Sequence, residues 1–364
     1  MKRLFAISVF SLLIGAAVTA QDKIDCRHEG LVGPVKTVES GRIEYPLIDG
    51  KGTEGPRLLT RQTSYNERCD RTEMTQYGPD GKIIERLVYT FDGLGRNTGY
   101  DEFNSIVDKN LATPRKHIYV VDNSARVTEY TVWDSNGSLA SRFTYAYDAK
   151  GNKLEENFYT WMGTRGSRIV YTYDDKGHQL SATCYQPGDT LSWKTISSYD
   201  ADGRRIEWSS LEAGVLRYKI KSRYDQQGRI TEEETFAFLA PSEIPPSHSP
   251  VPGKVVYAYD DSDRTKEVMT YLPSGTLKSK EIRTTDERGN ETSRLTLDEN
   301  GSTKNNEISW YESHQLVRKL SGTPSTEFEY DSHGNWIRKT HLLWVAGAKE
   351  PEAWNTEYRI ITYY

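Results

Sequence analysis

Carboxylates recur through this chain at a fixed spacing, each with an aromatic residue before it and a glycine three residues after it. The phrase is aromatic-Asp-x-x-Gly, followed by a polar or basic residue. Its Asp and Gly positions include Asp92 and Gly95, Asp148 and Gly151, Asp174 and Gly177, Asp200 and Gly203, Asp225 and Gly228, and Asp331 and Gly334. Repeated carboxylates can act as general acids or bases, or bind calcium. They can equally cap turns, because Asp accepts hydrogen bonds from the amides that follow it.

The spacing of the phrase favours turns over a cation site. Asp200-x-Asp202-Gly203 looks like part of a calcium loop, but it lacks the spaced ligands and the closing Glu of an EF-hand. Asp in the first position and Gly in the fourth are typical of a type I turn between two strands, where Gly supplies the positive φ. We therefore assign the repeated Asp and Gly residues to structural turns, and we expect no metal and no cofactor.

The sequence contains no recognisable catalytic constellation. The seven histidines are scattered, and two of them, His178 and His333, fall beside the glycine of a turn. Neither a His-Glu-x-x-His helix motif nor a Gly-x-Ser-x-Gly elbow occurs. We therefore expect no catalytic residue and a protein that is not an enzyme.

The period of the phrase predicts an all-β chain. Asp148, Asp174 and Asp200 lie 26 residues apart, and a second turn signal lies midway in each interval. Each unit is therefore two short strands and two turns. We expect a repetitive antiparallel β-meander of such hairpins with about twenty strands, forming a curled sheet or a partial β-shell, because long sheets twist and curl.

Each hairpin is expected to pack an aromatic residue before the turn against an aliphatic residue on the strand after it. The aliphatic residues lie two or three places after the glycine. They are Leu154, Leu180, Ile206, Ile230 and Ile337. Each unit would bury its apolar side mainly against its neighbours, which spreads stability along the chain.

The phrase Tyr-Asp-x-x-Gly-Arg resembles that of the bacterial YD-repeat, or Rhs-repeat, proteins. The opening stretch, residues 29–38, also looks like the first strand of small exported bacterial proteins with such repeats. In large members of the family the repeats wind into a hollow β-shell around a C-terminal toxin, which an autoprotease releases. This chain is far shorter, has no Asp-Pro-x-Gly core motif near its C-terminus, and ends in a stretch that reads as a last strand. The resemblance therefore implies a short exported member without a toxin domain.

The first twenty residues predict a secretory signal peptide. Lys2 and Arg3 precede an apolar run that ends at small residues and is too short to span a membrane. We therefore expect an exported, periplasmic or extracellular protein that does not span the membrane. Its predicted parts are the signal peptide 1–20, N-terminal strands and a loop 21–60, the repeat array 61–340, and a C-terminal loop and last strand 341–364.

The charge balance argues against a nucleic-acid partner. The chain carries 47 basic and 52 acidic residues, a net charge of −5, and loss of Lys2 and Arg3 with the signal peptide would make it two charges more negative. A protein that binds a polyanion needs a basic excess to displace counterions. The 24 tyrosines distinguish this polar chain from disordered segments, which are poor in aromatics. We expect a folded monomer.

Three cysteines cannot all pair within one molecule. Cys26 and Cys69 both lie near the N-terminus and are a candidate disulfide in an oxidising compartment. Cys184 lies on a strand pattern, so we expect it to be a small buried side chain.

Four insertions break the repeat: residues 45–59, 102–116, the proline-rich stretch 239–254, and 341–355. Long loops on a rigid β scaffold often carry binding sites, although they can also be plain surface excursions or covers for a sheet edge. Tyrosine and tryptophan side chains can bind a ligand through an apolar ring and a hydrogen-bonding group, but they can instead pack against other side chains of the sheet. The candidate binding aromatics are Trp161, Trp193, Trp344 and Trp354.

These features favour a non-enzymatic scaffold that binds a partner protein or an envelope glycan. One alternative is a glycan-active enzyme with two carboxylates, which a pocket holding two carboxyl groups about 5–10 Å apart would support. The other is a shell or chaperone component for a toxin encoded elsewhere, which co-purification of a small partner would support.

Overall fold

The protein is described by a computed structural model over residues 25–48, 51–106, 108, 111–238, 251–260, 262, 264–287, 290–312, 315–321, 325–343 and 352–364. Within these ranges the regular elements are β-strands, and all of their pairings are antiparallel. The predicted fold class, an all-β repetitive antiparallel meander, is therefore confirmed. The predicted signal peptide and most of the insertion 239–254 lie outside the described residues.

The strands lie in the sheet largely in the order in which they occur along the chain. In chain order they are β1 (Val35–Glu44), β2 (Leu47–Ile48), β3 (Lys51–Gly52), β4 (Arg57–Tyr65), β5 (Arg71–Tyr77), β6 (Ile83–Phe91), β7 (Asn97–Asn104), β8 (Arg115–Val121), β9 (Val127–Trp133), β10 (Leu139–Tyr147), β11 (Lys153–Thr160), β12 (Arg165–Tyr173), β13 (Gln179–Gln186), β14 (Thr190–Tyr199), β15 (Arg205–Glu212), β16 (Val215–Tyr224), β17 (Ile230–Ala237), β18 (Gly253–Tyr259), β19 (Thr265–Tyr271), β20 (Leu277–Thr285), β21 (Glu291–Asp298), β22 (Thr303–Glu312), β23 (Gln315–Ser321), β24 (Ser325–Tyr330), β25 (Trp336–Leu343) and β26 (Glu352–Tyr363). Across the residues with a described placement, no helix is long and apolar enough to cross a membrane.

Twenty-four of the strands belong to one sheet, and β2 and β3 form a separate small hairpin. From β4 to β26 each strand pairs with the next in the sequence. The first strand, β1, pairs with β4 along one side and with β26 along the other. The meander is therefore joined end to end through β1, which protects the backbone groups that an edge strand would leave unpaired.

The repeated phrase forms a three-residue hairpin loop, as the turn at Asp200 shows. Gly203 N donates to Asp200 O at 3.1 Å, and Asp200 N donates to Arg204 O at 3.0 Å. Gly203 has a φ of +81°, a left-handed conformation that glycine adopts without a steric penalty. The Asp200 Oδ1 atom accepts from Asp202 N at 3.0 Å and from Arg204 N at 2.9 Å. This is a type I turn followed by a glycine bulge.

The predicted packing of aromatic against aliphatic residues across each hairpin is wrong for four of the five repeats. Tyr147 lies opposite Lys153, and the register shifts at the next residue, so Leu154 has no partner across the strand pair and is 40% exposed. The same shift leaves three further aliphatic residues without a cross-strand partner: Leu180, Ile206 and Ile337. Only Ile230, one place closer to its glycine, lies opposite its aromatic residue, Tyr224. The β-bulge after each turn, which adds a residue to one strand, is the cause.

Consecutive repeats are joined through the tyrosine and the residue after the glycine. The Tyr199 hydroxyl donates to Gln179 O at 3.0 Å, and the Tyr224 hydroxyl donates to Arg205 O at 2.9 Å. Each hydroxyl thus reaches the strand that begins after the preceding turn. The same two repeats also meet through Arg204, the residue after the glycine. Its guanidinium lies over the Tyr224 ring, 5.2 Å from the ring centroid. The phrase therefore stabilises both its own turn and the contact between neighbouring repeats.

Replacement of a turn glycine by valine tests this geometry. Gly137 and Gly203 separate the cost of backbone strain from the cost of a steric clash. At Gly137, φ is +82° and an added Cβ would meet no atom within 4 Å, so Gly137→Val reports backbone strain alone, about 1–2 kcal/mol. At Gly203, an added Cβ would also lie 2.7 Å from His178 Nε2. We expect Gly203→Val to lower the free energy of unfolding, measured in urea, by more than Gly137→Val does. Equal stability of Gly203→Val and the wild type would contradict the turn assignment.

The N-terminal segment before β1 packs against β1 and β4 in a buried apolar cluster. Its members are Cys26, Leu31, Val35, Val38 and Tyr65. Cys26 forms a disulfide with Cys69, with the two Cα atoms 5.4 Å apart. Cys69 has a φ of +73° and occupies the turn position that glycine fills in the repeats. Cys184 is buried and unpaired on β13. The disulfide thus ties the N-terminal segment to the turn between β4 and β5.

Asn335 joins the same segment to the last repeat. Its Oδ1 accepts from Val32 N at 2.7 Å, while its Nδ2 donates to Val32 O at 2.8 Å and to the Tyr363 hydroxyl at 2.7 Å. The residue is 1% exposed. In an internal repeat the equivalent residue, Asn152, donates instead to Asp148 of its own turn at 2.8 Å. The last repeat therefore uses the same phrase position to hold the N-terminal segment.

Candidate functional site

Two of the predicted insertions come together where β1 meets β26. The described part of 45–59 forms β2, β3 and the start of β4, and the described part of 341–355 forms the end of β25 and the start of β26. Glu44 and Asn355 lie opposite each other in the β1–β26 ladder. Of the other two insertions, 102–116 spans the end of β7 and the start of β8. Two interruptions of the repeat that are far apart in the sequence therefore lie next to each other in the structure.

A cavity of about 560 Å³ lies at this junction. It draws its walls from β1, from β4, from the insertion between them and from β26. The lining residues are Arg42, Glu44, Tyr45, Pro46, Gly55, Pro56, Leu58, Trp354 and Asn355. Small-molecule sites commonly enclose about 300–1,000 Å³, so the cavity has room for a ligand of modest size.

The loop that forms one wall of the cavity is held by backbone hydrogen bonds. Gly55 N donates to Glu44 O at 2.9 Å, and Thr53 N donates to Pro46 O at 3.1 Å. A Cβ on Gly55 would lie 2.7 Å from Glu44 O, so the close approach of this loop to the end of β1 requires glycine. Together with the fixed φ of Pro46 and Pro56, these bonds give the cavity a defined wall.

Trp354 presents an aromatic surface to the cavity. It is 48% exposed, and its ring packs at a tilt against His341, with centroids 5.9 Å apart. His341 Nε2 lies 3.0 Å from Glu357 Oε1, and Lys339 Nζ lies 2.7 Å from the same oxygen. Burial alone would raise the pKa of Glu357, but the hydrogen bonds from Lys339 and His341 outweigh it and hold the pKa below its ordinary value.

The polar groups of the cavity include one ion pair and one unsatisfied oxygen. Arg42 Nη2 lies 3.0 Å from Glu44 Oε1, and both side chains are about half exposed. The Asn355 Oδ1 atom is shielded from solvent and has no hydrogen-bond partner in the described structure. The Tyr45 hydroxyl is 3.2 Å from Thr356 Oγ1 and accepts from Arg338 at 3.2 Å.

The four candidate binding aromatics lie in different parts of the structure. Trp354 lines the cavity, whereas Trp161 is 69% exposed in the turn between β11 and β12. Trp193 is half-buried on β14. Trp344 lies outside the described residues. The structure therefore brings one of the four, Trp354, to the junction of two insertions.

The turn carboxylates are engaged by their own backbone. The Asp200 Oδ2 atom accepts from Arg204 Nε at 2.7 Å, in addition to the two amides on Oδ1. The amide of Arg204 is the largest influence on Asp200 and, with the Arg204 side chain, lowers the pKa of that carboxyl. Hydrogen-bond donors thus occupy the oxygens that a calcium ion would need, which fits a turn cap.

One network of titratable groups was not foreseen from the sequence. His117 is 7% exposed, with Nδ1 2.6 Å from the Tyr130 hydroxyl and Nε2 3.0 Å from Glu102 Oε2. Its ring stacks on Tyr100 at a centroid distance of 4.1 Å. Burial lowers the pKa of His117, and the hydrogen bond that the imidazole makes to the Glu102 carboxylate opposes this only in part. Glu102 begins the insertion 102–116 and His117 directly follows it, so no local spacing reveals their contact.

The depressed pKa of His117 predicts acid sensitivity. The folded state holds the imidazole neutral below its unfolded pKa of 6.5, so unfolding takes up a proton and stability falls as pH drops through about 6.5. His117→Phe keeps a ring in the stack and removes this titration. We expect urea denaturation at about pH 7.5 and pH 5.5 to show a smaller loss for His117→Phe than for the wild type. The exposed His28 provides the control: a loss that shrinks equally in His28→Gln would contradict the assignment.

The comparisons with known proteins give likenesses of structure only. No family model matches the chain, and no curated protein matches it. Similar solved structures include a chain of the Photorhabdus luminescens Tc holotoxin pore (TM-score 0.44, 13% identity, 86% of this chain and 17% of that chain) and a chain of a TcdB2–TccC3 crystal structure (TM-score 0.40, 13% identity, 89% and 20%). A porin-like protein from Bacteroides uniformis is also similar (TM-score 0.20, 10% identity, 91% and 98%). This chain thus spans a fifth or less of the two toxin chains.

Proposed function

We propose that this protein is an exported binding protein whose β-meander is a scaffold and whose ligand site is the cavity at the junction of β1 and β26. The observation that carries the proposal is the convergence of two insertions on one cavity with an exposed tryptophan, Trp354. Loops on a rigid scaffold are where binding residues concentrate. The ligand is a component of the envelope or its surroundings, either a partner protein or a glycan.

Export is part of the proposal and rests on two features. Residues 1–20 have the pattern of a secretory signal peptide. The disulfide between Cys26 and Cys69 supports an oxidising compartment, because such bonds are rare in the cytosol. Sequencing the N-terminus of the mature protein from the native host checks this directly, with a start at Gln21 as the expected result.

The composition of the cavity favours binding over hydrolysis. A carboxylate-based glycosidase needs two carboxyl groups facing one substrate, about 5–10 Å apart. Among the lining residues, Glu44 carries the one carboxylate, and it is paired with Arg42 at 3.0 Å. An enzyme of this class would need a second, unpaired carboxyl group opposite Glu44.

Hydrogen–deuterium exchange in the presence of a soluble envelope extract tests the proposed site. Binding at the cavity should slow exchange at the end of β1, along 51–58 and at the start of β26. Internal turns such as the one at Asp200 should not change and serve as the control. Protection confined to the internal repeats, with no change around the cavity, would place the ligand elsewhere and contradict the proposal.

A further inference from the structure

We infer that the ligand of this cavity is a neutral saccharide, an inference that rests on the proposed function and gives its ligand a chemical class. The first observation is the indole of Trp354, which is 48% exposed at the wall of the cavity. A flat aromatic face with a polar edge gains free energy by covering an apolar surface while polar groups nearby stay hydrogen-bonded. The C–H face of a pyranose ring is such a surface, and its hydroxyl groups lie around the edge.

The second observation is that the polar wall offers both donors and acceptors. Arg42 and Glu44 are paired through one nitrogen and one oxygen, 3.0 Å apart, and their side chains are 45% and 60% exposed. The remaining guanidinium N–H groups can donate and the remaining carboxylate lone pairs can accept. Neighbouring sugar hydroxyl groups both donate and accept, so they match this pair.

The third observation is the charge of the cavity. Its charged lining side chains are Arg42 and Glu44, which neutralise each other. A phosphate or a uronate would have to compete with Glu44 for Arg42, and a basic peptide would have to compete with Arg42 for Glu44. Either charged ligand would also meet a like charge on the other partner, which lies 3.0 Å from the group it binds, so the pair offers a charged ligand no net attraction. The pair therefore selects an uncharged, hydroxyl-rich ligand.

The hydrogen-bonded wall strengthens the inference because binding costs less free energy when the site is already formed. The hydrogen bonds from Gly55 N to Glu44 O and from Thr53 N to Pro46 O hold the loop in place. When a saccharide binds against this wall, the main entropy cost is therefore the loss of the saccharide's own freedom of motion. The weak contacts of a single sugar ring suit a site that is formed before the ligand arrives.

The test is calorimetric titration of the mature protein with a panel of neutral tetrasaccharides built from glucose, mannose, galactose or N-acetylglucosamine, alongside tetralysine and a tetragalacturonate. The variants are Trp354→Ala, Trp354→Phe and, as a matched control, Trp161→Ala, which removes a more exposed tryptophan from the turn between β11 and β12. We expect at least one neutral member to bind the wild type, about tenfold or more weaker binding to Trp354→Ala, partial recovery in Trp354→Phe, and no change in Trp161→Ala.

The outcomes separate this inference from the proposed function. Binding of tetralysine or the galacturonate, lost in Trp354→Ala and without binding of any neutral member, overturns the saccharide assignment and leaves the cavity as a binding site. Absence of any Trp354-dependent binding in this panel overturns the saccharide assignment as well. If the exchange experiment with envelope extract also shows no protection at the cavity, the proposed function falls with it. Circular dichroism of each variant confirms that a loss of binding does not reflect unfolding.

Discussion

Removal of the Cys26–Cys69 disulfide is expected to lower the free energy of unfolding by about 4 kcal/mol. The bond closes a loop with a sequence separation of 43 residues, and the loop-closure entropy of an unfolded chain of that length corresponds to roughly this amount. Cys26 is 1% exposed within the N-terminal apolar cluster, so the bond also fixes a buried segment. The measurement is urea denaturation of Cys26→Ser/Cys69→Ser against the oxidised wild type.

A second variant separates the cross-link from the turn that carries it. Cys69 has a φ of +73°, where glycine avoids a cost of about 1–2 kcal/mol. Cys26→Ser/Cys69→Gly should therefore be more stable than Cys26→Ser/Cys69→Ser, while both remain less stable than the wild type. An unchanged denaturation midpoint in Cys26→Ser/Cys69→Ser would show that the cross-link does not hold this segment.

Replacement of Asn335 by alanine is expected to cost about 2–3 kcal/mol, because several hydrogen bonds of a buried side chain are lost together. The side chain bonds both backbone groups of Val32 and the Tyr363 hydroxyl, and it is 1% exposed. The matched control is Asn152→Ala at the same phrase position, where the side chain bonds its own turn. We expect a smaller cost there, about 1 kcal/mol.

The comparison of Asn335→Ala with Asn152→Ala also tests how the sheet is joined. If Asn335 fastens the N-terminal segment, its loss should speed hydrogen exchange in 25–34 and in β1. Exchange in the internal repeats, such as β14 and β15, should change less. Equal costs for the two variants, with no local change in exchange, would show that the last repeat is held no differently from the others.

The strands and turns could be predicted from the sequence because the phrase acts locally. Asp200 caps the turn that contains it, and Gly203 supplies the left-handed residue of the same turn. The pairing of β1 with β26 could not be predicted in this way. Its partners, such as Val38 and Ile361, are separated by nearly the whole chain, and nothing in either strand specifies the other. The aliphatic partners were misplaced because a bulge of one residue changes which side chain faces the tyrosine.

The candidate site was predictable in part for the same reason. The insertions 45–59 and 341–355 stand out as breaks in the period, and Trp354 stands out as an aromatic residue within one of them. Their meeting at one cavity depends on the β1–β26 pairing, which is a long-range feature. The contact between His117 and Glu102 depends on the path of the chain around another insertion. Local spacing thus locates the breaks in the repeat, and the fold decides which of them meet.

The most direct test of the proposed site is fluorine NMR of protein labelled with 5-fluorotryptophan. The chain has eight tryptophans, and Trp354→Phe and Trp161→Phe assign the two resonances that matter. On addition of the soluble envelope extract, we predict a shift of the Trp354 resonance and none of the Trp161 resonance. A ligand that shifts the Trp161 resonance and leaves that of Trp354 in place would show that the repeat face, and not the junction of the two insertions, is the binding surface.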